Sequence, residues 1–440
     1  MPWREGFRPV RMERVAVVGQ TNRMRAALDL LGRLGVVELD VASEHADLDE
    51  VLAGTVQHGP VSAALGWCPQ PVLTELRTLS ELDQLGAAVV PLPRPAGLEP
   101  PTLLGRHGVG SGFDMLVSTY ATVPYRDIDP TVVAGLAYVV MFGMMFGDAG
   151  HGALLVIAGL LARARWWRFK RLAGVWLFLV GAGLSATGFG ALYGEFFGPT
   201  GLPVLWLAPL EQPVPLLLAG VGLGAVLLGL AFALGTLNRW REGGWGYALY
   251  SRSGIAGSLL FAGLGLSALG VWRSATLLTA VGALVAVTGL VLAFVGLLID
   301  AGGGGAGVAQ AVVELVDLAI RLGSNLVSFA RLAAFGMTHA AIGWLVWVGA
   351  VGLWRHGPGA VAAVLVFLLG NAVGFALELL VAGIQALRLE YYELFSRVFA
   401  GEGRRFRPWR LPASASPAPG PSPSDPDPAA ETATCATPTR

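Results

Sequence analysis

The sequence has little charge for its length. Asp, Glu, Lys and Arg make up 14% of the 440 residues, and hydrophobic residues make up 54%, whereas a soluble domain carries roughly 25% charged residues. This composition excludes an ordinary soluble globular protein and is typical of a polytopic α-helical membrane protein. The 30 basic and 30 acidic residues cancel, so no net positive field is present to attract nucleic acid.

Cysteine, lysine and several functional motifs are scarce or missing. The two cysteines, Cys68 and Cys435, form no CxxC pair or His/Cys cluster, so the sequence predicts no disulfide framework, no metal site and no cofactor. We attribute the single lysine, Lys170, to genome composition. No GxxxxGK[ST] loop is present, so the chain is not expected to bind ATP. No apolar signal segment follows the basic residues 1–14, so the N-terminus is expected to be cytoplasmic.

The chain divides into three regions of different composition. Residues 1–130 predict a small α/β cytoplasmic domain, residues 131–410 are mostly apolar and predict a transmembrane domain, and residues 411–440 are rich in Pro, Ala, Ser and Thr. The last region has too few large apolar groups to offset the entropy of ordering, so it is expected to be disordered. Two β-α-β patterns in the first region predict a ferredoxin-like domain. Their strands and helices are predicted at 14–18, 22–34, 36–39, 64–68, 71–85 and 87–90.

The apolar region predicts about eight membrane-spanning helices, each of which needs roughly 20 apolar residues. The segments are 131–147, 149–162, 172–192, 214–237, 254–272, 276–299, 312–353 and 360–398. The first two are short and meet at Gly147 to Gly152, which predicts a hairpin. If these two are counted as separate spans, most of the loop arginines lie on the same side of the membrane as both termini. Cytoplasmic loops carry an excess of basic residues, so this side is the cytoplasmic one. We therefore expect a multi-pass membrane protein with both termini in the cytoplasm.

The last two predicted spans are unusually long and carry polar residues along one face. Each approaches 40 residues, or about 60 Å of helix, against a hydrocarbon core of about 30 Å, so both are expected to tilt. The polar positions recur at helical spacing and predict a hydrated path beside the helices. They are Glu314, Asp317, Arg321, Ser324, Ser328, Arg331 and Thr338, flanked by Asn325 and His339, and then Asn371, Glu378, Gln385, Arg388 and Tyr392.

Arg331 is the most distinctive residue of this polar face, because it lies near the middle of a predicted span among apolar neighbours. An arginine at mid-membrane costs about 2.5–3.5 kcal/mol on insertion scales and keeps its proton at accessible pH. Such a fixed charge suits the displacement of a proton from a partner carboxyl; an ion pair with Glu378 that serves packing alone is the alternative. Glu378 and His339 can each exchange a proton, and His339 can equally be a structural hydrogen-bonding group.

The predicted hairpin contributes two further candidates, Asp148 and His151. Their side chains could line a polar cavity. Capping of the helix that begins there is the favoured interpretation, because Asp is common at helix N-caps and turns.

Five motifs follow one another through the apolar region: MFGMMFGDAGHGALL, LYGEFFG with LPVLWLAPLEQP, LGTLNRWREGGWGYAL, SNLVSFARLAAFGMTHA and LELLVAGIQALRLEYYELFSRVFAGEGRRFRPW. In this order they resemble the first hairpin, the first external loop, the internal loop, the essential-arginine motif and the C-terminal helix of the a subunit (subunit I, the 116 kDa subunit family) of V-type and archaeal-type rotary ATPases. In the first region, RMERVAVVGQ…LGRLGVVELD and LGWCPQP…LGAAVVPL are similar to the two ends of that family's cytoplasmic domain.

The resemblance implies a stator membrane subunit that forms proton or Na⁺ half-channels against a rotor ring. By matching position, Arg331 is the essential arginine that faces the ring's carboxylates, Arg388 is the second arginine, and Glu378 and His339 are polar half-channel residues. The implied channel lining also includes Glu314, Asp317, Arg321, Ser324, Asn325, Ser328, Asn371 and Gln385. The chain would not be an enzyme on its own. Its implied partners are a proteolipid ring of c subunits, peripheral-stalk and soluble ATPase subunits and the lipid bilayer of a prokaryotic cell membrane.

The sequence departs from this family between the two cytoplasmic stretches. Only residues 41–64 lie between them, where the family has a long coiled-coil arm, so the arm is expected to be short or absent. Two other functions are the alternatives: a secondary ion-coupled transporter, which also uses broken helices and midplane charges, and a non-catalytic membrane scaffold. A transporter predicts inverted repeats, which the sequence does not display.

Overall fold

The structure, a computed structural model, describes residues 9–40, 46–94, 97–104, 113–166, 174–354, 359–399, 401 and 403–411. The predicted disordered tail beyond Leu411 lies outside the described residues, as does most of the basic loop after the second predicted span. The chain forms two compact units. One contains Arg11–Pro100 together with residues 406–411, and the other contains the helices within Pro101–Arg405.

The first unit is a small antiparallel sheet with helices. Its strands are β1 (Met12–Gln20), β2 (Glu38–Leu39), β3 (Val56–His58), β4 (Val61–Pro69) and β5 (Ala87–Leu92). Its helices are α1 (Met24–Leu34), α2 (Leu48–Ala53), α3 (Gln70–Arg77) and α4 (Ser80–Gln84). The strands lie in the order β2-β4-β1-β5, with β3 paired to β4. Apart from β3 and α2, the elements follow the β-α-β-β-α-β order of ferredoxin-like domains.

Local sequence explains most of these elements and one departure from the prediction. α1 buries Met24, Leu28 and Leu31 at helical spacing, and it ends at Gly35, whose positive φ of 59° suits glycine. The predicted helix 71–85 is instead two helices. Thr78 and Leu79 separate them, and Leu79 is the extended residue, with φ −68° and ψ 109°. The Thr78 hydroxyl donates to the Glu75 carbonyl at 2.9 Å at the end of the first helix.

The segment that follows residue 405 completes this unit. Trp409 is 2% exposed, its backbone N–H donates to the Val37 carbonyl at 2.9 Å, and its indole donates to the Ala46 carbonyl at 2.9 Å. The chain end thus supplies core to the sheet unit, although it is more than 300 positions away from its contacts.

The second unit is helical. Its helices are α5 (Asp114–Tyr120), α6 (Thr131–Met145), α7 (Ala149–Arg163), α8 (Trp176–Tyr193), α9 (Pro213–Tyr250), α10 (Ile255–Trp272), α11 (Thr276–Asp300), α12 (Gly304–Ser328), α13 (Ala330–Trp354), α14 (Ala360–Leu389) and α15 (Ser396–Val398). In the described residues six helical segments, with α12–α13 and α14–α15 counted as one each, are long and apolar enough to cross a membrane. α6 and α7 are apolar but have 15 residues each, so the count of eight spans stays a prediction.

Three segments differ from their predicted bounds. α9 extends to Tyr250 through a kink at Gly244, where φ is 73°. The predicted span 312–353 begins at Gly304 and is broken at Phe329, which separates α12 from α13. Phe329 is fully buried and its ring lies directly against Gly224 of α9, so a tertiary contact fixes the break. α14 continues into a π-helix, Glu390–Phe395, before α15.

Candidate functional site

α13 and α14 form an antiparallel pair that carries the four residues predicted for ion translocation, Arg331, His339, Glu378 and Arg388. Gly370 contacts Val346, Gly374 contacts Ile342, and Glu378 contacts His339. Residue numbers therefore increase along α14 in the direction in which they decrease along α13, as in an antiparallel pair. Continued toward the start of α13, this register places Arg331 level with the end of α14, near Arg388. The predicted residues therefore occupy two levels, separated by the eight residues between Arg331 and His339, or about 12 Å of helix.

The upper level is a buried polar cluster, which we call the His339 cluster: Asp148, His151, His339 and Glu378. His339 Nδ1 is hydrogen-bonded to Glu378 Oε2, and His339 Nε2 lies 3.9 Å from Asp148 Oδ2. On the other side of Asp148, His151 Nδ1 lies 3.7 Å from Oδ1. Asp148 is 1% exposed, and His151 and His339 are 5% exposed each. The structure thus joins the hairpin candidates to the predicted half-channel pair.

Asp148 performs the capping role that its position in the sequence favours, and it also belongs to the cluster. It is the N-cap of α7, and its Oδ1 accepts a hydrogen bond from the His151 backbone N–H at 2.8 Å. Its Oδ2 accepts from the Gly198 backbone N–H at 3.2 Å. The two backbone bonds hold the carboxylate in place between the two imidazoles.

His151 is enclosed by aromatic rings. Phe146, Phe197 and Phe375 lie 5.1–5.8 Å from it between ring centroids, and Phe197 holds a positive φ of 51°, which is uncommon for a large side chain. Neither ring nitrogen of His151 has a hydrogen-bond partner among the described residues. A buried polar group without a partner costs about 1–3 kcal/mol, so this imidazole is a candidate for a ligand or a proton.

Glu195 is a further group beside the cluster that sequence reasoning missed. It follows α8 and is 8% exposed. Burial raises the pKa of Glu195 to about 7; His339 acts against this rise, whereas the carboxylates of Asp148 and Glu378 reinforce it. The LYGEFFG motif contains Glu195, but nothing local in that motif indicates that the loop folds back onto the hairpin and α13.

Arg331 defines the lower level. Its Nη1 is buried with no hydrogen-bond partner, and the described part of the chain provides no carboxylate within 4.0 Å of it. The alternative of a packing ion pair with Glu378 is not what the structure contains, because Glu378 is paired with His339. Arg388 and Glu393 are the charged groups that interact with Arg331 electrostatically.

The remaining polar-face residues do not join the His339 cluster. Glu314 pairs with Arg252, which lies in the turn between α9 and α10. Asp317 pairs with Arg321 within α12 at 2.6 Å. Other bonds are local: Ser328 donates to the Ser324 carbonyl at 3.0 Å, and Asn371 donates to the Phe367 carbonyl at 2.9 Å. Two amides complete the set: Gln385 of α14, whose Oε1 is buried without a partner among the described residues, and Asn325 of α12, which can accept from Arg397 at 3.1 Å.

A second buried polar network lies where residues 127–128 meet α9, and no sequence pattern singled it out. Asn238 accepts from the Ile128 backbone N–H at 3.0 Å, and Asn238 and Arg239 both donate to the Val398 carbonyl at 3.3 Å. Asp127 is fully buried, and burial, followed by the neighbouring Glu242, raises the pKa of Asp127 to about 7. The LNRW stretch places Asn238 and Arg239 on one helix, but their partners come from distant parts of the chain.

One set of residues in the described chain has the composition and spacing of metal ligands. Asp148, His151 and His339 each present one ligand atom, and these atoms lie within 4.8 Å of one another.

Comparison with known proteins shows which family this chain is similar to. The profile of the V-type ATPase 116 kDa subunit family matches residues 52–174, a stretch that ends after the α6–α7 hairpin and includes Asp148 and His151. Curated proteins of archaea named A-type ATP synthase subunit I match over a larger part of the chain. The protein of Thermococcus kodakarensis is 27% identical over 400 residues, covering 84% of this chain. The chain is similar to the V-type ATPase 116 kDa subunit family.

Two further archaeal proteins named A-type ATP synthase subunit I are similar over comparable lengths. The subunit I of Archaeoglobus fulgidus is 26% identical over 409 residues, covering 78% of this chain, and that of Pyrococcus horikoshii is 28% identical over 312 residues, covering 68%. The chain spans about half the length of these relatives, namely 57%, 58% and 45% of the Thermococcus, Archaeoglobus and Pyrococcus proteins. The similarity therefore extends over most of this chain and over about half of each relative.

Proposed function

We propose that the chain is a membrane stator subunit of a rotary ATPase, in which α13 and α14 pass protons or Na⁺ between two half-channels at the surface of a rotor ring. The observation that carries the proposal is Arg331, a guanidinium placed within a long apolar helical segment with no carboxylate paired to it in the described chain. Similarity to the 116 kDa subunit family supports it, because the relatives are named A-type ATP synthase subunit I.

An unpaired arginine in this position is suited to act on a carboxylate that another molecule brings to it. A guanidinium remains charged at accessible pH, and its cost in a membrane is offset when a carboxylate arrives. Arg331 would then favour the ionised form of each ring carboxylate and expel its proton. The same fixed charge would repel a proton moving directly from one half-channel to the other.

The His339 cluster fits the half-channel on one side of this arginine. Glu378 and His339 are in hydrogen-bond contact, and both can bind and release a proton. Glu195 and Asp148 add acidic groups beside them. With the predicted topology, in which α13 runs from the cytoplasm outward, the cluster faces the external side.

The polar groups around the start of α13 fit the half-channel on the cytoplasmic side. Ser328 lies one turn before Arg331, and Glu393 of the π-helix interacts electrostatically with Arg331 and Arg388. Asn325 and Gln385 extend the polar surface. The His339 cluster and this second polar group lie at different heights along the helices. Because of that offset, an ion can pass from one half-channel to the other only while it is bound to the rotating ring.

The partners in this proposal are a ring of proteolipid subunits, the soluble ATPase subunits and the peripheral stalks, in a prokaryotic cell membrane with both termini cytoplasmic. The ring would lie against the lipid-facing side of α12–α14, which carries many exposed apolar side chains such as Val313, Ile320 and Val373. ATP would bind to the soluble subunits and not to this chain.

The test is ATP-driven ion pumping by the complex assembled in vesicles with Arg331→Gln. We expect pumping to fall to background while the subunit still assembles. The matched control is Arg273→Gln, an exposed arginine stacked on Trp272 at 5.3 Å, which should pump as the unsubstituted complex does. Undiminished pumping by Arg331→Gln would refute the assigned role.

The two alternative functions give different outcomes in the same preparation. A secondary transporter would drive gradient-dependent uptake in vesicles that contain this chain without ATPase subunits. A scaffold would copurify with no proteolipid ring in mild detergent. Either result would replace the stator assignment.

A further inference from the structure

The arrangement around Asp148 points to a binding site. We propose that Asp148, His151 and His339 bind a divalent transition-metal ion of the Zn²⁺ class. The proposal concerns what the chain itself binds, so it stands apart from the transport function proposed above. While an ion is bound, His339 Nε2 is occupied and does not exchange a proton.

The three side chains are spaced almost as such an ion requires. Zn²⁺ holds nitrogen ligands at about 2.0–2.1 Å and carboxylate oxygens at about 2.0–2.2 Å, so the ligand atoms of a tetrahedral ion lie about 3.3–3.5 Å apart. Asp148 Oδ1 lies 3.7 Å from His151 Nδ1 and Asp148 Oδ2 lies 3.9 Å from His339 Nε2, and one ligand atom from each of the three residues lies within 4.8 Å of the other two. The two imidazole centroids are 5.7 Å apart and the ring planes are 81° from parallel. Small side-chain rotations bring the three ligand atoms to the required distances.

His151 supplies an independent reason to expect a ligand. It is 5% exposed, and both of its ring nitrogens lack a hydrogen-bond partner in the described chain. Buried imidazoles normally bond at least one nitrogen to the protein or to water. A metal ion bound to Nδ1 would satisfy this group at the point where it faces Asp148.

The neighbours of the three residues orient them as metal ligands are usually oriented. A metal-bound histidine typically gives its second N–H to a carboxylate, which fixes the ring and increases its basicity. His339 has this arrangement, with Nδ1 on Glu378 and Nε2 toward Asp148. Each Asp148 oxygen accepts one backbone hydrogen bond, and a carboxylate has further lone pairs for an ion.

The donor set selects the class of ion. Two imidazoles and one carboxylate suit Zn²⁺ and other late transition metals, whereas Mg²⁺ and Ca²⁺ prefer oxygen ligands only. Glu378 and Glu195 lie close enough to add negative charge. Three protein ligands leave a fourth position for water.

The sequence did not predict this site because its ligands come from two separate elements. Asp148 and His151 lie at the start of α7, and His339 lies on α13. The expectation of no metal site rested on the lack of paired cysteines, and it does not address a site made of His and Asp.

The test is metal binding by the purified full chain in detergent, carrying no polyhistidine tag and freed of metal by dialysis against a chelator. Calorimetric titration with Zn²⁺ should give one ion per chain. His151→Ala and His339→Ala should each weaken that binding more than about 100-fold, and Glu378→Gln, which alters only the group behind His339, by about 10–100-fold. His58→Ala, which removes an exposed histidine of the sheet unit, should leave it unchanged.

Cobalt provides a second measurement that needs no variant. Co²⁺ added to the unsubstituted chain should develop the intense visible absorption of four- or five-coordinate cobalt, and Zn²⁺ should abolish it. A spectrum equal to that of aqueous Co²⁺, no tight equivalent of Zn²⁺, or equal Zn²⁺ binding by a folded His151→Ala/His339→Ala double variant would each overturn the proposal. His45, His107 and His356 are present in every variant, so any background that they contribute is common to all.

The outcome is distinguishable from the test of Arg331. Zn²⁺ binding together with undiminished pumping by Arg331→Gln would leave the metal site and remove the stator role. Loss of pumping by Arg331→Gln with no Zn²⁺ binding would do the reverse.

Discussion

Glu378 of α14 is hydrogen-bonded to His339 of α13 and not to Arg331. This choice of partner distinguishes the imidazole of α13 from its guanidinium. His339 has a carboxylate partner within the chain, and Arg331 has none within the described residues.

The pairing predicts a strong coupling between the two residues. His339→Leu leaves a nearly buried carboxylate without a partner, and Glu378→Leu leaves the imidazole without one, so each should lower the free energy of unfolding by about 3 kcal/mol. The double variant should cost much less than the sum, because it leaves no unpaired group. Thermal unfolding of all four proteins in detergent measures the coupling, and additive effects would contradict the pairing.

The helix cap at α7 predicts a second stability effect. Asp148→Ala removes the N-cap bond to His151 N–H and the bond to Gly198 N–H, so it should destabilise the chain by about 1–2 kcal/mol. The matched control is Asp300→Ala, at the C-terminal end of α11, where an acidic group opposes the helix dipole. It should be neutral or slightly stabilising. Equal unfolding midpoints for the two variants would argue against the cap.

The break between α12 and α13 predicts that two neighbouring glycines respond in opposite ways. A Cβ at Gly224 would lie 2.2 Å from Cγ of Phe329, so Gly224→Ala should cost about 1–3 kcal/mol through overpacking. Gly222 lies on the same helix with nothing within 4 Å of its Cβ position, so Gly222→Ala should stabilise by up to about 1 kcal/mol. Thermal unfolding compares them directly, and a tolerated Gly224→Ala would show that Phe329 does not lock the break.

The buried network at Asp127 predicts a dependence of stability on pH. Burial and Glu242 raise the pKa of Asp127 to about 7 in the folded chain, so the folded state binds a proton that the unfolded state releases near pH 4. The free energy of unfolding should therefore fall as pH rises from about 4 to about 7, by roughly 1–4 kcal/mol.

Asp127→Asn tests that dependence, because it cannot ionise. The variant should be more stable than the unsubstituted chain at pH 8, with a smaller difference between pH 5 and pH 8. Asp300→Asn, an exposed position, serves as the control and should retain the original pH dependence. An unchanged slope in Asp127→Asn would place the titrating group elsewhere.

Sequence reasoning predicted the elements that local patterns govern. The helix that ends at Gly35, the long apolar helices and the capping role of Asp148 all depend on residues within a few turns of one another. Three features escaped it. The break at Phe329 depends on Gly224 of another helix, Trp409 completes a sheet unit built from residues 11–100, and Glu195 faces the His339 cluster from a loop.

The sequence alone determined the class of this protein and the face of each long helix that carries polar groups, because composition and helical period are local properties. Only the tertiary structure decided that Glu378 pairs with His339 and that Asp148 and His151 lie in the same cluster. It also decided that Arg331 stays unpaired in the described chain. Those outcomes depend on the register of α13 against α14 and on the packing of the hairpin against both. Register is set by contacts between residues far apart in the chain, so the spacing of residues within one segment does not predict it.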